Sequence, residues 1–94
     1  MLYDLRIDKQ VVKQVTHLDS KIFRQVVVRI LELGQNPRPH DSEELKGYRD
    51  PVLPGRKGFR VDQGEYRILY TIDEDRRVVV VFRAGHRRDV YGPG

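Results

Sequence analysis

The sequence predicts an α+β domain of order β-α-α-β-β-β, in which two N-terminal antiparallel helices pack on one face of a small, mainly antiparallel sheet. Two observations predict this class. Apolar residues of the first third recur with the 3.6-residue period of amphipathic helices, whereas those of the last third alternate with polar residues as in half-buried strands. The 94 residues are enough for one domain, which we expect to span residues 1–94.

The N-terminal part predicts one strand and two helices. Residues 2–7 alternate as a short strand, and an aspartate then caps a helix over residues 8–18. Asp19 or Ser20 can cap a stronger helix that ends at Gly34. Because the link between the helices is short, they should form an antiparallel helical hairpin.

A long connection and two β-hairpins follow. Residues 36–58 are rich in proline and glycine, and connections of this length are usually functional or mobile. Within them, residues 43–47 predict either a turn of helix or a short strand. The first hairpin is predicted to turn at Gln63-Gly64, between alternating apolar residues. That register places these pairs opposite each other: Val61 and Tyr66, Arg60 and Arg67, Phe59 and Ile68.

The second hairpin extends this pattern. If residues 73–77 turn the chain, the apolar pairs share one face under the helices: Ile72 with Val78, Tyr70 with Val80, and Ile68 with Phe82. Arg83 then lies opposite Arg67, so that Arg60, Arg67 and Arg83 cross three strands on the open face. Like charges placed opposite each other are destabilising, which favours a phosphate site over arginines that merely solvate the sheet.

The charge and composition favour a polyanionic partner. The net charge is +4, of which residues 56–94 contribute +3, with 9 basic and 6 acidic side chains. This uneven distribution of charge favours nucleic acid as the binding partner, although basic proteins without such a partner are common. Cysteine is absent, so we expect no disulfides and a reducing, cytoplasmic location. No segment has the pattern of a signal peptide or the length of a membrane span.

Three motifs carry a family resemblance that covers essentially the whole chain. They are Leu45-Lys46-Gly47, Gly64-Glu65-Tyr66-Arg67-Ile68-Leu69-Tyr70 and Gly85-His86-Arg87-Arg88-Asp89-Val90-Tyr91. With these motifs the chain resembles the RelE/ParE superfamily of type II toxins, and within it the RelE-like mRNA endonucleases. The resemblance implies a RelE-like toxin that cleaves mRNA in the ribosomal A site by attack of the 2′-hydroxyl, which inhibits translation. It also implies a co-expressed antitoxin as partner.

The resemblance assigns roles to individual residues. Arg67 matches the strand arginine that contacts the scissile phosphate, and Arg87 matches the arginine that stabilises the transition state or leaving group. Tyr91 matches the tyrosine that orients or stacks on the substrate base. Arg60 stands where some members have a lysine, whereas a second lysine of that strand is replaced by Gly58.

The residues themselves suggest further candidates. His86 is either the acceptor of the 2′-hydroxyl proton or a solvated residue at a strand end. Five side chains are candidates to bind RNA: Arg83, Arg88, Lys57, Arg56 and Lys46. For each of the three in or near the long connection, Lys46, Arg56 and Lys57, the alternative is an ordinary surface charge. The three histidines are far apart in sequence, so we expect no metal and no small-molecule cofactor.

Two other functions remain open from the sequence. One is a ParE-like toxin that inhibits DNA gyrase, although such relatives generally lack the combination of Arg67, Arg87 and Tyr91. The other is a module that binds RNA without cleaving it. Salt-sensitive RNA binding without strand breaks would indicate the latter.

Overall fold

The computed structural model describes residues 2–91, which form two helices and five strands. Strand β1 (Asp4–Ile7) precedes helices α1 (Lys9–Val15) and α2 (Ser20–Leu33). The remaining strands are β2 (Glu43–Glu44), β3 (Gly58–Gln63), β4 (Tyr66–Asp73) and β5 (Val78–His86). Residues 1 and 92–94 of the predicted domain lie outside the described part.

The strands form one sheet of order β1-β5-β4-β3-β2. Strand β1 is parallel to β5, and every other neighbouring pair is antiparallel. The predicted α+β class, with its mainly antiparallel sheet, is therefore confirmed. Residues 43–47, for which the sequence predicted either a helical turn or a short strand, contain the short edge strand β2, which pairs with β3.

The helices cover one face of the sheet. The Asp8 side chain accepts a hydrogen bond of 3.0 Å from the Gln10 amide and so caps α1. Helix α1 ends at Val15, three residues before the predicted end. Helix α2 follows the predicted bounds, but the side chain of Asp19 at its N-cap makes no capping hydrogen bond. Their buried residues join the strands in one core: Val11, Val15, Val26, Ile30 and Leu33. Neither helix is long and apolar enough to cross a bilayer.

The first hairpin turns one residue later than predicted. Gly64 and Glu65 form the turn, and Gly64 has a φ of +60°. A positive φ at the first central residue is the type II′ pattern, for which glycine is the preferred residue. Arg67 therefore lies opposite Asp62, and Arg60 lies opposite Leu69. The predicted pairing of Arg60 with Arg67 is wrong.

The second hairpin also differs in register. The turn comprises residues 74–77, and Arg77 has a φ of +57°, so that Ile72 pairs with Val79. The valines that face the helices are consequently Val79 and Val81. The predicted core positions Val78, Val80 and Phe82 are wrong, because the turn is one residue shorter than predicted, which shifts the pairing of β5 by one residue.

A β-bulge further along β5 reverses which of its alternate side chains face the helices. Leu69 pairs with Arg83 and Tyr70 pairs with Val81, which leaves Phe82 as the extra residue. Beyond the bulge, Ala84 faces the core and Arg83 lies on the opposite face. The bulge thus allows one strand to place valines under the helices and an arginine on the other side.

The face opposite the helices is only partly open, contrary to the prediction. The Tyr48 ring from the long connection stacks on Phe82, with 5.3 Å between ring centroids. Leu69 and Thr71 are buried on this face of the sheet, each about 3% exposed. The connection before β3 and the C-terminal segment therefore cover part of it.

Asp50 organises the connection before β3. Its carboxylate accepts hydrogen bonds from the Val52 and Leu53 amides, the Tyr48 hydroxyl and the Arg56 guanidinium, at 2.8–3.1 Å. The side chain is 2% exposed. Hydrogen bonds from Arg56 outweigh the effect of burial and hold the pKa of Asp50 well below its usual range.

We expect Asp50→Asn to lower the free energy of unfolding by about 2 kcal/mol or more, because the Arg56 cation loses its buried partner. Urea titration at pH 7 measures this change. Asp75→Asn, in the exposed β4–β5 turn, is the control and should change the value by less than about 0.5 kcal/mol. Equal losses in both variants would contradict the importance of the buried pair.

The same pair should make stability depend on pH. A carboxylate whose pKa is depressed by folding stabilises the protein above its unfolded pKa and loses that effect as the pH falls. As the pH falls below 3.8, the ordinary pKa of an aspartate, the free energy of unfolding of the wild type should therefore decrease more steeply than that of Asp50→Asn.

Candidate functional site

Three arginines share the sheet face opposite the helices, which we call the arginine face. Arg60 and Arg83 lie on either side of Leu69 in one row across β3, β4 and β5. Arg67 lies two residues earlier in β4, and alternate residues of a strand point to the same face. The three arginines therefore share one face of the sheet, as predicted. The row across the strands passes through Arg60, Leu69 and Arg83, however, and not through Arg67 as predicted.

Arg67 is held from two sides. Its Nε donates to Asp62 Oδ1 at 2.8 Å and its Nη2 to Asp62 Oδ2 at 3.4 Å. On the other side, Nη1 donates to the Tyr91 hydroxyl at 3.4 Å, and the guanidinium carbon lies 5.7 Å from the centre of that ring. The bond to Asp62 raises the pKa of Arg67, so this residue is always a cation.

This arrangement leaves Arg67 able to bind an anion. A guanidinium has five N–H donors, and Asp62 occupies the edge formed by Nε and Nη2. Further N–H groups on Nη1 and Nη2 are directed away from Asp62, toward the side of Tyr91. A phosphate can therefore bind Arg67 through two hydrogen bonds while Asp62 continues to orient the guanidinium.

The two arginines of the row have their own contacts. Arg60 Nη2 lies 3.1 Å from Glu43 Oε1 of the edge strand, and its Nη1 lies 3.9 Å from Asp62 Oδ1. Arg83 Nη1 donates to the Val90 carbonyl at 3.0 Å, which ties the C-terminal segment to the arginine face. Both guanidinium groups are therefore oriented before any ligand arrives.

Arg87 extends the basic surface at the turn of the first hairpin. Its amide donates to the Glu65 carbonyl at 2.9 Å, and its Nη2 lies 3.0 Å from Glu65 Oε2. The Arg87 side chain is 52% exposed. This contact attaches the predicted glycine–histidine–arginine–arginine motif to the end of the sheet where Arg67 lies.

Carboxylates of the same chain accompany the predicted cations. Arg60, Arg67 and Arg87 each form an ion pair with a carboxylate, as described above. In addition, Lys57 Nζ lies 3.7 Å from Glu44 Oε1. The pairs of Lys57 and Arg87 are exposed on both sides, and surface ion pairs are worth about 0–1 kcal/mol each, whereas the Arg60 and Arg67 side chains are only 24% and 18% exposed. A polyanion can therefore displace the exposed partners at little cost, whereas Asp62 is held more firmly by its double contact with Arg67.

The other candidates for RNA binding divide into two groups. Arg56 is directed at the buried Asp50, with a distance of 2.8 Å from its Nε to Oδ2, so it stabilises the connection rather than facing an external ligand. Lys46 and Arg88 are exposed. The structure thus separates Arg56 from the surface cations with which the sequence grouped it.

His86 lines a cavity together with Arg83, but neither Arg60 nor Arg67 belongs to that lining. His86 pairs with Tyr66, whose ring it meets edge to face at 5.6 Å between centroids, and Tyr66 packs against the core. The cavity, which His17 also lines, has a volume of about 500 Å³ and lies between the helices and the end of β5. The structure therefore does not bring His86 beside Arg67. Within residues 2–91, no group of three His, Asp or Glu side chains could hold a metal ion.

Two residues that shape this surface were missed in the sequence. Asp62 was an ordinary polar residue of a predicted strand, and only the corrected register places it opposite Arg67. Tyr48 belonged to the irregular connection. The signal that could have drawn attention to it is Gly58, because a glycine inside a strand often marks the close approach of another group.

Comparisons with known proteins agree with this fold. A family model described as the ParE toxin of the type II toxin–antitoxin system parDE matches residues 5–91. Toxin RelG of Mycobacterium tuberculosis is 46% identical over 33 residues, which correspond to 35% of this chain and 38% of that toxin. The matched part thus spans well under two thirds of the length of this relative.

Solved toxin–antitoxin complexes contain the same architecture. In the archaeal RelE–RelB complex from Pyrococcus horikoshii, one chain matches with a TM-score of 0.76 and 26% identity, covering 96% of this chain and 100% of that one. In the RelBE2 complex from Mycobacterium tuberculosis, one chain matches with a TM-score of 0.71 and 27% identity, covering 93% of this chain and 100% of that one. The chain described here therefore belongs to the ParE toxin family of type II toxin–antitoxin systems, within the RelE/ParE superfamily, and has the fold of the RelE toxins.

Proposed function

We propose that this toxin is a ribosome-dependent endoribonuclease that cleaves mRNA in the A site and thereby inhibits translation in the cytoplasm. The observation that carries the proposal is the position of Arg67, whose guanidinium is oriented by Asp62 and directed toward Tyr91 on the partly covered arginine face, where its side chain is 18% exposed. A cation fixed beside an aromatic ring suits an RNA phosphate and the neighbouring base. Arg60, Arg83 and Arg87 add positive charge around it.

The proposed reaction is an attack of the RNA 2′-oxygen on the adjacent phosphorus. The 2′-oxygen forms a bond to phosphorus, the bond from phosphorus to the 5′-oxygen breaks, and the products are a cyclic phosphate and a 5′-hydroxyl. The proton of the 2′-hydroxyl goes to a base, and the leaving oxygen takes up a proton. Arg67 would stabilise the charge that develops on the phosphate, and Arg87, at the same end of the sheet, would stabilise the leaving group.

The partner proposed for regulation is a cognate antitoxin. This proposal is supported by the RelE–RelB and RelBE2 structures, in which chains of this fold occur in toxin–antitoxin complexes. An antitoxin could inhibit the toxin by covering the arginine face or by contributing carboxylates to it. Exposed cations such as Arg87 are accessible to such a partner.

A second candidate function is inhibition of DNA gyrase. The specific observation that favours it is the family model, which describes a ParE toxin and matches nearly the whole chain. The site geometry favours the nuclease, because Arg67 contacts Tyr91 on the same surface as the other arginines. A supercoiling assay with purified gyrase separates the two functions.

We expect Arg67→Ala and Arg87→Ala to abolish ribosome-dependent mRNA breaks and toxicity. Each removes a cation from the proposed transition state, and the loss of one such donor typically slows a reaction by about 10²–10³-fold. Primer extension on mRNA from an in vitro translation reaction measures the breaks. Arg76→Ala, in the exposed β4–β5 turn, is the matched control and should cleave like the wild type.

The outcomes of this experiment distinguish the functions. Discrete breaks in the wild type that vanish in Arg67→Ala support the nuclease and its phosphate-binding arginine. Intact mRNA with inhibited supercoiling would indicate the gyrase inhibitor. Salt-sensitive RNA binding with neither activity would indicate a binding module.

Asp62→Asn should separate binding from cleavage. The variant removes a negative charge beside the phosphate site, so an RNA blocked by a 2′-deoxy nucleotide should bind several-fold more tightly at low salt. It also weakens the double contact that orients Arg67, so cleavage should be slower. Fluorescence anisotropy and single-turnover cleavage on ribosomes measure the two effects. Weaker binding, or faster cleavage, would contradict this role of Asp62.

His86→Ala tests whether the histidine accepts the proton. Because His86 packs against Tyr66 on the other face of the sheet, we expect the variant to retain most of the cleavage rate in the same primer-extension assay. A loss as large as that of Arg67→Ala, in a variant with wild-type circular dichroism, would instead assign a catalytic role to His86.

A further inference from the structure

A cleft of about 330 Å³ opens on the arginine face next to the part of β4 that carries Arg67, which is not itself among the lining residues. Its floor is the buried Leu69, and the stacked rings of Tyr48 and Phe82 belong to its lining. Tyr91 lines it as well, and Lys46 and Arg83 contribute cationic side chains. An apolar and aromatic cleft flanked by cations is suited to a ligand that has both a flat ring and a negative charge.

The Tyr48 ring occupies the space that a side chain at position 58 would need. A Cβ added to Gly58 would lie 2.9 Å from Tyr48 Cγ and 3.0 Å from its Cδ2, which is too close for a real contact. Gly58 is in β3, on the same face as Arg60. The chain therefore has a glycine within the strand where the resemblance suggested a lysine, and an aromatic ring lies against it.

Tyr48 is held in place before any ligand binds. Its ring stacks on Phe82, and its hydroxyl donates to Asp50 at 3.1 Å. Asp50 is fixed in turn by Arg56 and two backbone amides. Burial, aided by the bond to Asp50, raises the pKa of Tyr48 to about 12, so the ring brings no negative charge to this surface at neutral pH.

We propose that this cleft binds one unpaired RNA base next to the phosphate at Arg67, and that Tyr48 and Phe82 form the wall that selects which bases fit. The proposal rests on the proposed function for the phosphate, and it adds a second binding site on the same RNA strand. Arg67 and Leu69 are two residues apart in β4, or about 7 Å. The floor of the cleft is therefore near enough to Arg67 for the base of an adjacent nucleotide.

The charges distinguish this cleft from the larger cavity on the helix side. That cavity, of about 500 Å³, is lined by the carboxylates of Asp19 and Asp89, which would repel an RNA strand, and Arg83 borders both spaces. The smaller cleft has Lys46 and Arg83 in its lining, and Arg60 lies across Leu69 from Arg83. An RNA base with its flanking phosphates therefore matches the smaller cleft.

The test compares two substitutions at Tyr48 in a binding assay that needs no cleavage. A short single-stranded RNA carries a 2′-deoxy nucleotide at the cleavage position and 2-aminopurine at the adjacent nucleotide. Wild type and Tyr48→Phe, which keeps the ring, should quench the fluorescence of 2-aminopurine. Tyr48→Leu should not, and its affinity should be roughly tenfold lower, because stacking of one base contributes at this level.

Two further comparisons keep the test independent of folding. Replacing the base by an abasic site should weaken binding to wild type by a similar factor but leave Tyr48→Leu nearly unaffected. Gly58→Ala displaces the Tyr48 ring without altering its chemistry, and should reproduce the effect of Tyr48→Leu. Circular dichroism of each variant verifies the fold.

The outcomes separate this inference from the proposed function. If the wild type cleaves mRNA on ribosomes but the abasic substitution and Tyr48→Leu change neither affinity nor cleavage sites, the base-binding cleft is overturned and the nuclease stands. If base-dependent binding occurs without cleavage, the cleft stands and the nuclease fails. If Tyr48→Leu impairs only binding of an antitoxin peptide, the cleft is a peptide site and the inference is overturned.

Discussion

The bulge at Phe82 is the constraint on which the two faces of the sheet depend. Before it, Val79 and Val81 face the helices, and after it Ala84 does so, while Arg83 lies on the other side. Without the extra residue, a strand that buried both valines would direct Arg83 into the core. A buried unpaired arginine is strongly destabilising, so the core and the arginine face require the same irregularity.

The cations of the arginine face are ordered by neighbouring carboxylates and carbonyl groups of the same chain. Arg60 pairs with Glu43, whose side chain is 66% exposed, and such pairs are weak, so the contact orients the guanidinium without preventing its use by a ligand. The contact between Arg67 and Asp62 differs, because it is doubled, partly buried and directly across two strands. It leaves the guanidinium fixed but still able to donate hydrogen bonds to a phosphate.

The connection before β3 has a structural role that extends to this surface. Asp50 binds Arg56 and the Tyr48 hydroxyl, and Tyr48 lies against Gly58 and Phe82. A buried carboxylate thereby determines the position of an aromatic ring on the arginine face. The long connection is therefore part of the wall of a cleft and more than a simple linker.

The sequence by itself determined the α+β class, the order of the elements other than β2, helix α2 and the shared face of Arg60 and Arg67, because periodicity and alternation are local properties. Arg83 joins that face only through the bulge at Phe82. Tertiary structure alone decided the strand register, since that depends on positive φ angles at Gly64 and Arg77 and on one extra residue at Phe82. It also decided that Arg56 binds Asp50, that His86 faces Tyr66, and that Tyr48 lies on Gly58. These contacts depend on how distant segments pack, which no local pattern encodes.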